Sequence, residues 1–406
     1  MTDQALSDIK VIDLTWHIAG PYCTKLLADY GADVLKIERP PDGDPARKMG
    51  PFYKDDTHPE KSGPFLHLNT NKRGITLNLK TATGRDMLKE LIKDADVIVE
   101  SFSPRVMPGL GLDYTELEKA NPKLVMASIS SFGQTGPYRD FRASEIVEYA
   151  MGGEMCSTGI AGREPIKLGG NVVQYQAGNV AAIAVMGALF AVDQIGTGQH
   201  LDISIMETQA GSADRRIVYL LGYACAGVLT TRWPPPREAV RMMIMPQGVY
   251  PCKDGFVNTL SLPQWWPRYI KALSMPELAE DPRFQNIFSA EAGLEFDAIW
   301  YDWLADRSKE ELFDIFLQAK IASAPVSTPE DLLKNQHLAH REYFTEVDHP
   351  KTGKVAYPGA PFRMSETPWQ VRNPAPLLGQ HNEEVYCGRL GYSKEELVKL
   401  REAGII

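Results

Sequence analysis

The chain has 406 residues, 44% of them hydrophobic and 23% charged, with a formal net charge of −9. That length exceeds what one small core organises, so two domains, or one large domain with an insertion, are expected. The acidic balance argues against a nucleic-acid partner, which needs a basic face. The opening residues, MTDQALSDIKVIDLT, show neither a basic n-region nor an apolar h-region, which argues against a signal peptide. Five widely spaced cysteines (Cys23, Cys156, Cys225, Cys252 and Cys387) form no zinc-ligand pattern and read as reduced thiols of a cytoplasmic protein. Cys23, inside a helical pattern, reads as a small core residue rather than a nucleophile.

In chain order, IKVIDLT reads as an apolar strand and GPYCTKLLADYG as a helix. ADVLKIER is again a strand, closed by the Pro/Gly-rich loop PPDGDPAR. GITLNLK predicts a strand, TATGRDMLKELIKDA a helix with a threonine near its cap, and DVIVESF and KLVMASISSF two further strands. This alternation predicts an α/β fold with a mostly parallel, Rossmann-like sheet covered on both faces, ligands binding beyond the strands' carboxyl ends. Neither GxGxxG nor GxxxxGK[ST] occurs, so nucleotide fingerprints are absent. The turn LTWHIAGP, containing Ile18 and Ala19, ends a strand and opens a helix; its amides suit a diphosphate, and equally a plain tight turn.

Composition separates residues 1–225, a large α/β domain, from a smaller Pro- and Arg-rich domain over 226–330, after which residues 331–406 are loop-rich with short strands and a last helix. The last helical pattern, SKEELVKLREAG, ends in Gly404 as a C-terminal cap.

The stretch KLGGNVVQYQAGNVAAIAVMGAL, residues 167–189, predicts a buried helix with two amides, Gln174 and Gln176, at its mouth. No charged side chain occurs between Lys167 and Asp193, although a helix N-terminus favours a carboxylate or bound anion. The apolar run Val180 to Val192 is too short to span a bilayer, so no membrane association is expected.

Several motifs, in order along nearly the whole chain, resemble the family III (CaiB/BaiF-type) CoA-transferases, a group that includes formyl-CoA and carnitine CoA-transferases and α-methylacyl-CoA racemases. They include VIDLTWHIAGPYCTKLLADYGADVLKIERPPDGDPAR, LNTNKRGITLNLK, ADVIVESFSPRVMPGLGLDY, GQTGPY, GTGQHLDISIME, YPCKDGFV and APVSTPEDLLKNQHLAHREYF. The resemblance implies a large Rossmann-like domain to which residues 331–406 return, with a smaller α+β domain inserted, and two chains interlocked as a ring-like dimer. It implies coenzyme A or acyl-CoA as substrate, with no permanently bound cofactor. Ile18, Ala19, Arg39, Leu77, Asn78, Lys80 and Phe102 stand at implied CoA-contacting positions. Arg39 and Lys80 suit phosphate charges, but surface salt bridges explain such residues equally well. Lys72 and Arg73 are weaker candidates of the same kind.

In this family an Asp four residues before a helix-opening glycine is the nucleophile. Counting back from Gly178 reaches Gln174, whose amide cannot attack a thioester and leave an exchangeable anhydride. Gln174 is therefore a helix-cap amide in a dead site, an amide bonding CoA, or part of an unfamiliar scheme. Other departures are Gly109 where relatives carry Arg, Ser131 where some carry Lys, and SLPQWW in place of a glycine-rich loop. Ser144 stands at the racemase His position, so racemase chemistry is not expected. Glu145, Glu148 and Glu154 are the candidates for a substitute carboxylate, with solvated or salt-bridged faces as their ordinary reading.

Arg215, Arg216, Arg232, Arg237 and Arg241 read as a charge-rich linker or a second carboxylate's holder, and Trp265 and Trp266 as core or interface. The sharpest resemblance is to the non-catalytic subunit of heteromeric succinyl-CoA:benzylsuccinate-type transferases. It implies an Asp-bearing homologous partner and an acyl-CoA and a carboxylic acid as substrates.

Overall fold

The computed structural model describes residues 4–160, 162–211, 215–228, 232 and 244–406. They form two compact units: Met1–Thr158 with Pro165–Thr231 and Glu342–Ile406, and Gly159–Glu164 with Arg232–Arg341.

The first unit is built on six parallel strands in the order β3-β2-β1-β4-β5-β6. They are β1 (Lys10–Asp13), β2 (Asp33–Glu38), β3 (Lys72–Thr76), β4 (Val97–Glu100), β5 (Val125–Ser130) and β6 (His200–Ser204). β4 and β5 are buried along their whole length, as expected of runs covered on both faces. Alternation sorts their side chains into two cores. Val11, Val34, Val97, Val99, Val125 and Ala127 face one core, shared with helices α1 (Ala19–Asp29) and α4 (Val172–Ile195). Ile12, Leu35, Ile98 and Met126 face the other, shared with α2 (Ala82–Ile92) and the carboxyl-terminal helices. Cys23 is fully buried in the first core, its thiol pushed up to about 12 by burial, so it is a packing residue.

The third strand differs from the sequence expectation. It pairs over Lys72–Thr76 and stops there, leaving Leu77 to Lys80 beyond the sheet. Strand propensity in LNLK yields to the end of the β2 partner at Glu38. The chain order reverses between β1 and β4, which opens a crevice at their carboxyl ends.

Helix α4 is longer than its apolar run, because the amide-bearing turn at its start and Asp193 to Ile195 at its end are helical too. Its 24 residues make it long and apolar enough to cross a membrane by composition alone, which corrects the expectation from the Val180–Val192 run. In the fold, Val173, Ala177, Ala181, Val185 and Ala188 pack into the first core. Gly178 permits a close approach of α4 to α1: a Cβ there would lie 2.7 Å from the Ala19 carbonyl oxygen. The motif glycine therefore joins the first turn of α1 to the mouth of α4. The edge-on Tyr22–Tyr175 pair, with ring centroids 4.8 Å apart, adds to the same contact.

The second unit carries a three-stranded antiparallel sheet of β7 (Gly248–Cys252), β8 (Gly255–Leu260) and β9 (Ala322–Pro325). It packs with α5 (Ala290–Ala305) and α6 (Lys309–Gln318) around Trp266, Tyr269, Phe296, Trp300 and Phe316. In the first unit, the chain closes with hairpin β10–β11 (Phe344–His349, Gly353–Pro358) and helices α7 (Asn382–Gly388) and α8 (Lys394–Glu402). Ser393 and Glu396 form a capping box at the start of α8, and Gly404 follows its end with φ +65°.

Candidate active site

The crevice between β1 and β4 is a cavity of about 370 Å³ at the carboxyl ends of β1 to β4. Trp16 and His17 follow β1, Arg39 follows β2, Leu77, Asn78 and Lys80 follow β3, and Ser101, Phe102 and Ser103 follow β4. Five of the seven sequence-derived binding candidates, Arg39, Leu77, Asn78, Lys80 and Phe102, thus meet in one place. The walls are aromatic and aliphatic. Trp16 and Phe102 meet edge-on at 5.3 Å, and the Arg39 guanidinium lies 5.6 Å from the Trp16 ring. Arg39 also lies 3.9 Å from Asp42, a long contact between half-exposed groups that contributes little. Asn78 is held from two sides, donating to the Gly404 carbonyl and accepting from the Lys80 amide. Lys80 is exposed at the rim. An apolar slot with cations at its edge suits a planar base carrying phosphates.

Ile18 and Ala19 do not line this cavity. Each is 4% exposed, and Ala19 meets Gly178 instead. Lys72 is also removed from any ligand role: its side chain is fully buried, and its ammonium donates to Asp13, Thr24, Asn69 and the Pro21 carbonyl. Arg73 is engaged by Asp33 and Glu384. A basic residue at the start of a strand faces whichever core the sheet assigns, which the sequence does not reveal.

Sequence reasoning missed Glu100, at the end of β4 in VIVESF. Its carboxylate accepts the Phe102 amide at 2.8 Å behind the cavity wall. Burial pushes it up to about 7, against hydrogen bonds from Ser128 and the Phe102 amide. The folded state therefore holds this proton to higher pH than the unfolded chain, whose carboxylates titrate near ~4.3. Stability from this group falls as pH rises from that range to about 7. Glu100→Gln is expected to flatten that decline, seen as converging denaturation midpoints at pH 5 and 8.

The second constellation lies at the mouth of α4. The helix has no side-chain cap of its own at Asn171. Instead Glu145, on α3 (Glu145–Met151), accepts the Val173 and Gln174 amides at 3.1 and 3.3 Å. Lys167 pairs with the same carboxylate at 3.4 Å. A carboxylate does occupy the helix mouth, then, but it comes from another helix and serves as a cap. One turn further along α3, Glu148 is 2% exposed and accepts the Gln174 side-chain amide at 2.5 Å. Burial raises the Glu148 pKa; Ser131 and Gln174 hydrogen bonds counter this, while the Glu145 charge adds to it. Gln176 donates to the Thr208 carbonyl at 3.0 Å and is structural.

Glu154 is buried at 4% just beyond α3. Arg232 donates to the carbonyls of Ile160 and Arg163. Arg237 and Arg241, and the side chains of Arg215 and Arg216, lie outside the described residues. Trp266 packs against Phe296 in the second unit's core, and Arg268 lies over Trp265.

The sequence matches the profile of CoA-transferase family III over residues 6–382. It is 31% identical to the succinyl-CoA:(R)-benzylsuccinate CoA-transferase subunit BbsE of Thauera aromatica, covering 98% of each chain. It is 32% identical to the succinyl-CoA–D-citramalate CoA-transferase of Chloroflexus aurantiacus, over 99% of this chain and 98% of the other. A crystal structure of a CaiB/BaiF family protein from Brucella suis superposes with a TM-score of 0.83 at 26% identity, covering 95% and 99% of the two chains.

Proposed function

Because the chain belongs to CoA-transferase family III, we propose that it is the silent subunit of a transferase that moves CoA from an acyl-CoA, such as succinyl-CoA, to a carboxylic acid such as benzylsuccinate. A homologous chain with Asp at the position of Gln174 supplies the nucleophile. Its carboxylate oxygen attacks the thioester carbon, the C–S bond breaks, and a mixed anhydride forms. The released CoA thiolate attacks the aspartyl carbonyl, expelling the donor acid and leaving an enzyme thioester. The acceptor carboxylate then attacks the enzyme thioester carbonyl, the C–S bond breaks to release the thiolate, and a second mixed anhydride forms. The thiolate attacks the acceptor's carbonyl, giving the new acyl-CoA and freeing the aspartate.

The observation that carries this reading is the state of Gln174. Its amide nitrogen is a donor to Glu148, and a neutral amide lacks the ionised oxygen that attack requires. Glu145, the alternative nucleophile of a homodimeric enzyme, is committed to two backbone amides and Lys167. The partner has a surface to cover: Val180, Ile183 and Phe190 form an exposed stripe on α4, with Ile183 72% and Phe190 70% exposed. An interlocked partner chain accounts for that stripe, and coexpression with an Asp-bearing homologue tests it by copurification.

The Trp16–Phe102 slot favours a further role in binding acyl-CoA, either as a half-site of the complex or as a binding module without turnover. Arg39→Ala is expected to weaken CoA binding on the order of tenfold in calorimetry, the value of one charge-assisted hydrogen bond. Arg73→Ala, outside the slot, should leave binding within about twofold.

A further inference from the structure

We infer that Glu148 and Gln174 are a matched pair, and that Glu148 is the positioning residue that bars a carboxylate from position 174. The inference rests on reading Gln174 as the family's nucleophile position, and it adds a reason why one substitution does not restore that nucleophile.

A buried carboxylate accepts hydrogen bonds only, so the atom of Gln174 facing it is the amide nitrogen. Glu148 accepts this neutral amide, and the nearby Ser131 hydroxyl also favours its charged form. The charged groups around it leave no room for a second negative charge. Glu145, one turn away on the same helix, accepts the first amides of α4 and pairs with Lys167. Lys167 is spent on that carboxylate and lies 5.7 Å from the Tyr149 ring. The helix over Ile205–Ala210, also packed on α3, offers only Glu207, which is exposed.

An Asp at position 174, one methylene shorter than Gln174, would turn a carboxylate toward Glu148 in place of the amide donor. Two carboxylates within a few ångströms of each other in a buried site raise one another's affinity for a proton and titrate as a unit. Glu148 would lose a donor, and the new group would lack the free ionised oxygen that attack on a thioester needs. The Gln174→Asp/Glu148→Gln double replacement exchanges the two groups instead. It keeps one carboxylate and one amide, and the same net charge.

The experiment compares the full chain with Q174D, E148Q and the Q174D/E148Q double variant. At pH 8, Q174D alone is expected to shift the unfolding equilibrium at least ~10-fold toward the unfolded state, and E148Q by no more than about threefold. The double variant should lie within about threefold of the parent. The Q174D deficit should shrink at pH 5, where one carboxyl of the facing pair takes up a proton. With acyl-CoA, the double variant should form a hydroxylamine-sensitive adduct at the replaced residue, at least ~10-fold more than Q174D does.

Equal stability of Q174D and the double variant at pH 8 overturns the pairing. So does equal adduct from both, or adduct from neither. CoA exchange by the parent chain alone strikes down the silent-subunit reading instead, and leaves the stability coupling untouched.

Discussion

Purified alone, the chain is expected to exchange CoA between an acyl-CoA and free acids at least ~10⁴-fold more slowly than its complex with an Asp-bearing homologue. That factor is the usual scale for removing a covalent nucleophile while binding groups remain. Exchange of labelled acid into acyl-CoA, followed chromatographically, measures it. The physical basis is narrow. The side chain at the mouth of α4 is an amide donating to Glu148, and Glu145 is tied into the helix cap. Neither offers a free ionised oxygen. Turnover by the isolated chain within about tenfold of the complex would remove the proposal, whatever the pedigree of the fold.

Asp13→Ala is expected to cost about 3–5 kcal/mol, the largest stability loss among single polar replacements in the first unit. Asp13 is fully buried at the end of β1 and accepts from Thr15, Thr24 and Lys72. Burial opposes its charge, but the Lys72 and Lys36 ammonium groups and the two threonine hydroxyls outweigh it and hold the carboxyl well below the usual range. Lys72 is itself brought down by burial to about 8, so it still carries its proton at neutral pH. Removing Asp13 strands that ammonium without its counter-charge. Asp13→Ala/Lys72→Met removes both charges and should recover most of the loss in denaturant titrations; equal losses for single and double variants would reject the account. The sign of the pH dependence follows from the depressed carboxyl. Its stabilisation is present above the ordinary carboxylate range and is lost as acid brings the pH down through the folded value. The position matters for function because β1 leads directly into Trp16 and His17 of the cavity.

Much of the architecture was legible in the chain. The apolar runs VIVE and VMASIS, with helical spacing between them, announce parallel strands buried on both faces, because only that environment tolerates such runs. The spacing from Gly178 back to Gln174 was equally readable. Arg39, Asn78, Lys80 and Phe102, distant from one another in the chain, converge because each follows a strand end, and parallel strands bring their carboxyl ends to one edge. The burial of Lys72 was not readable, since the side of a strand a residue faces depends on which layer packs there.

By itself, then, the sequence determined the parallel α/β class and the strand ends that meet at one edge of the sheet, both properties of local pattern and spacing, and it placed an amide, Gln174, at the mouth of a long apolar helix. The tertiary structure alone decided what that amide meets. Glu145 and Glu148 belong to a different helix from Gln174, and nothing in their own segment marks which of them caps α4 and which receives the amide. Packing of α3 against α4 makes that choice, because hydrogen bonds and charge repulsion act across a few ångströms of space, regardless of separation along the chain.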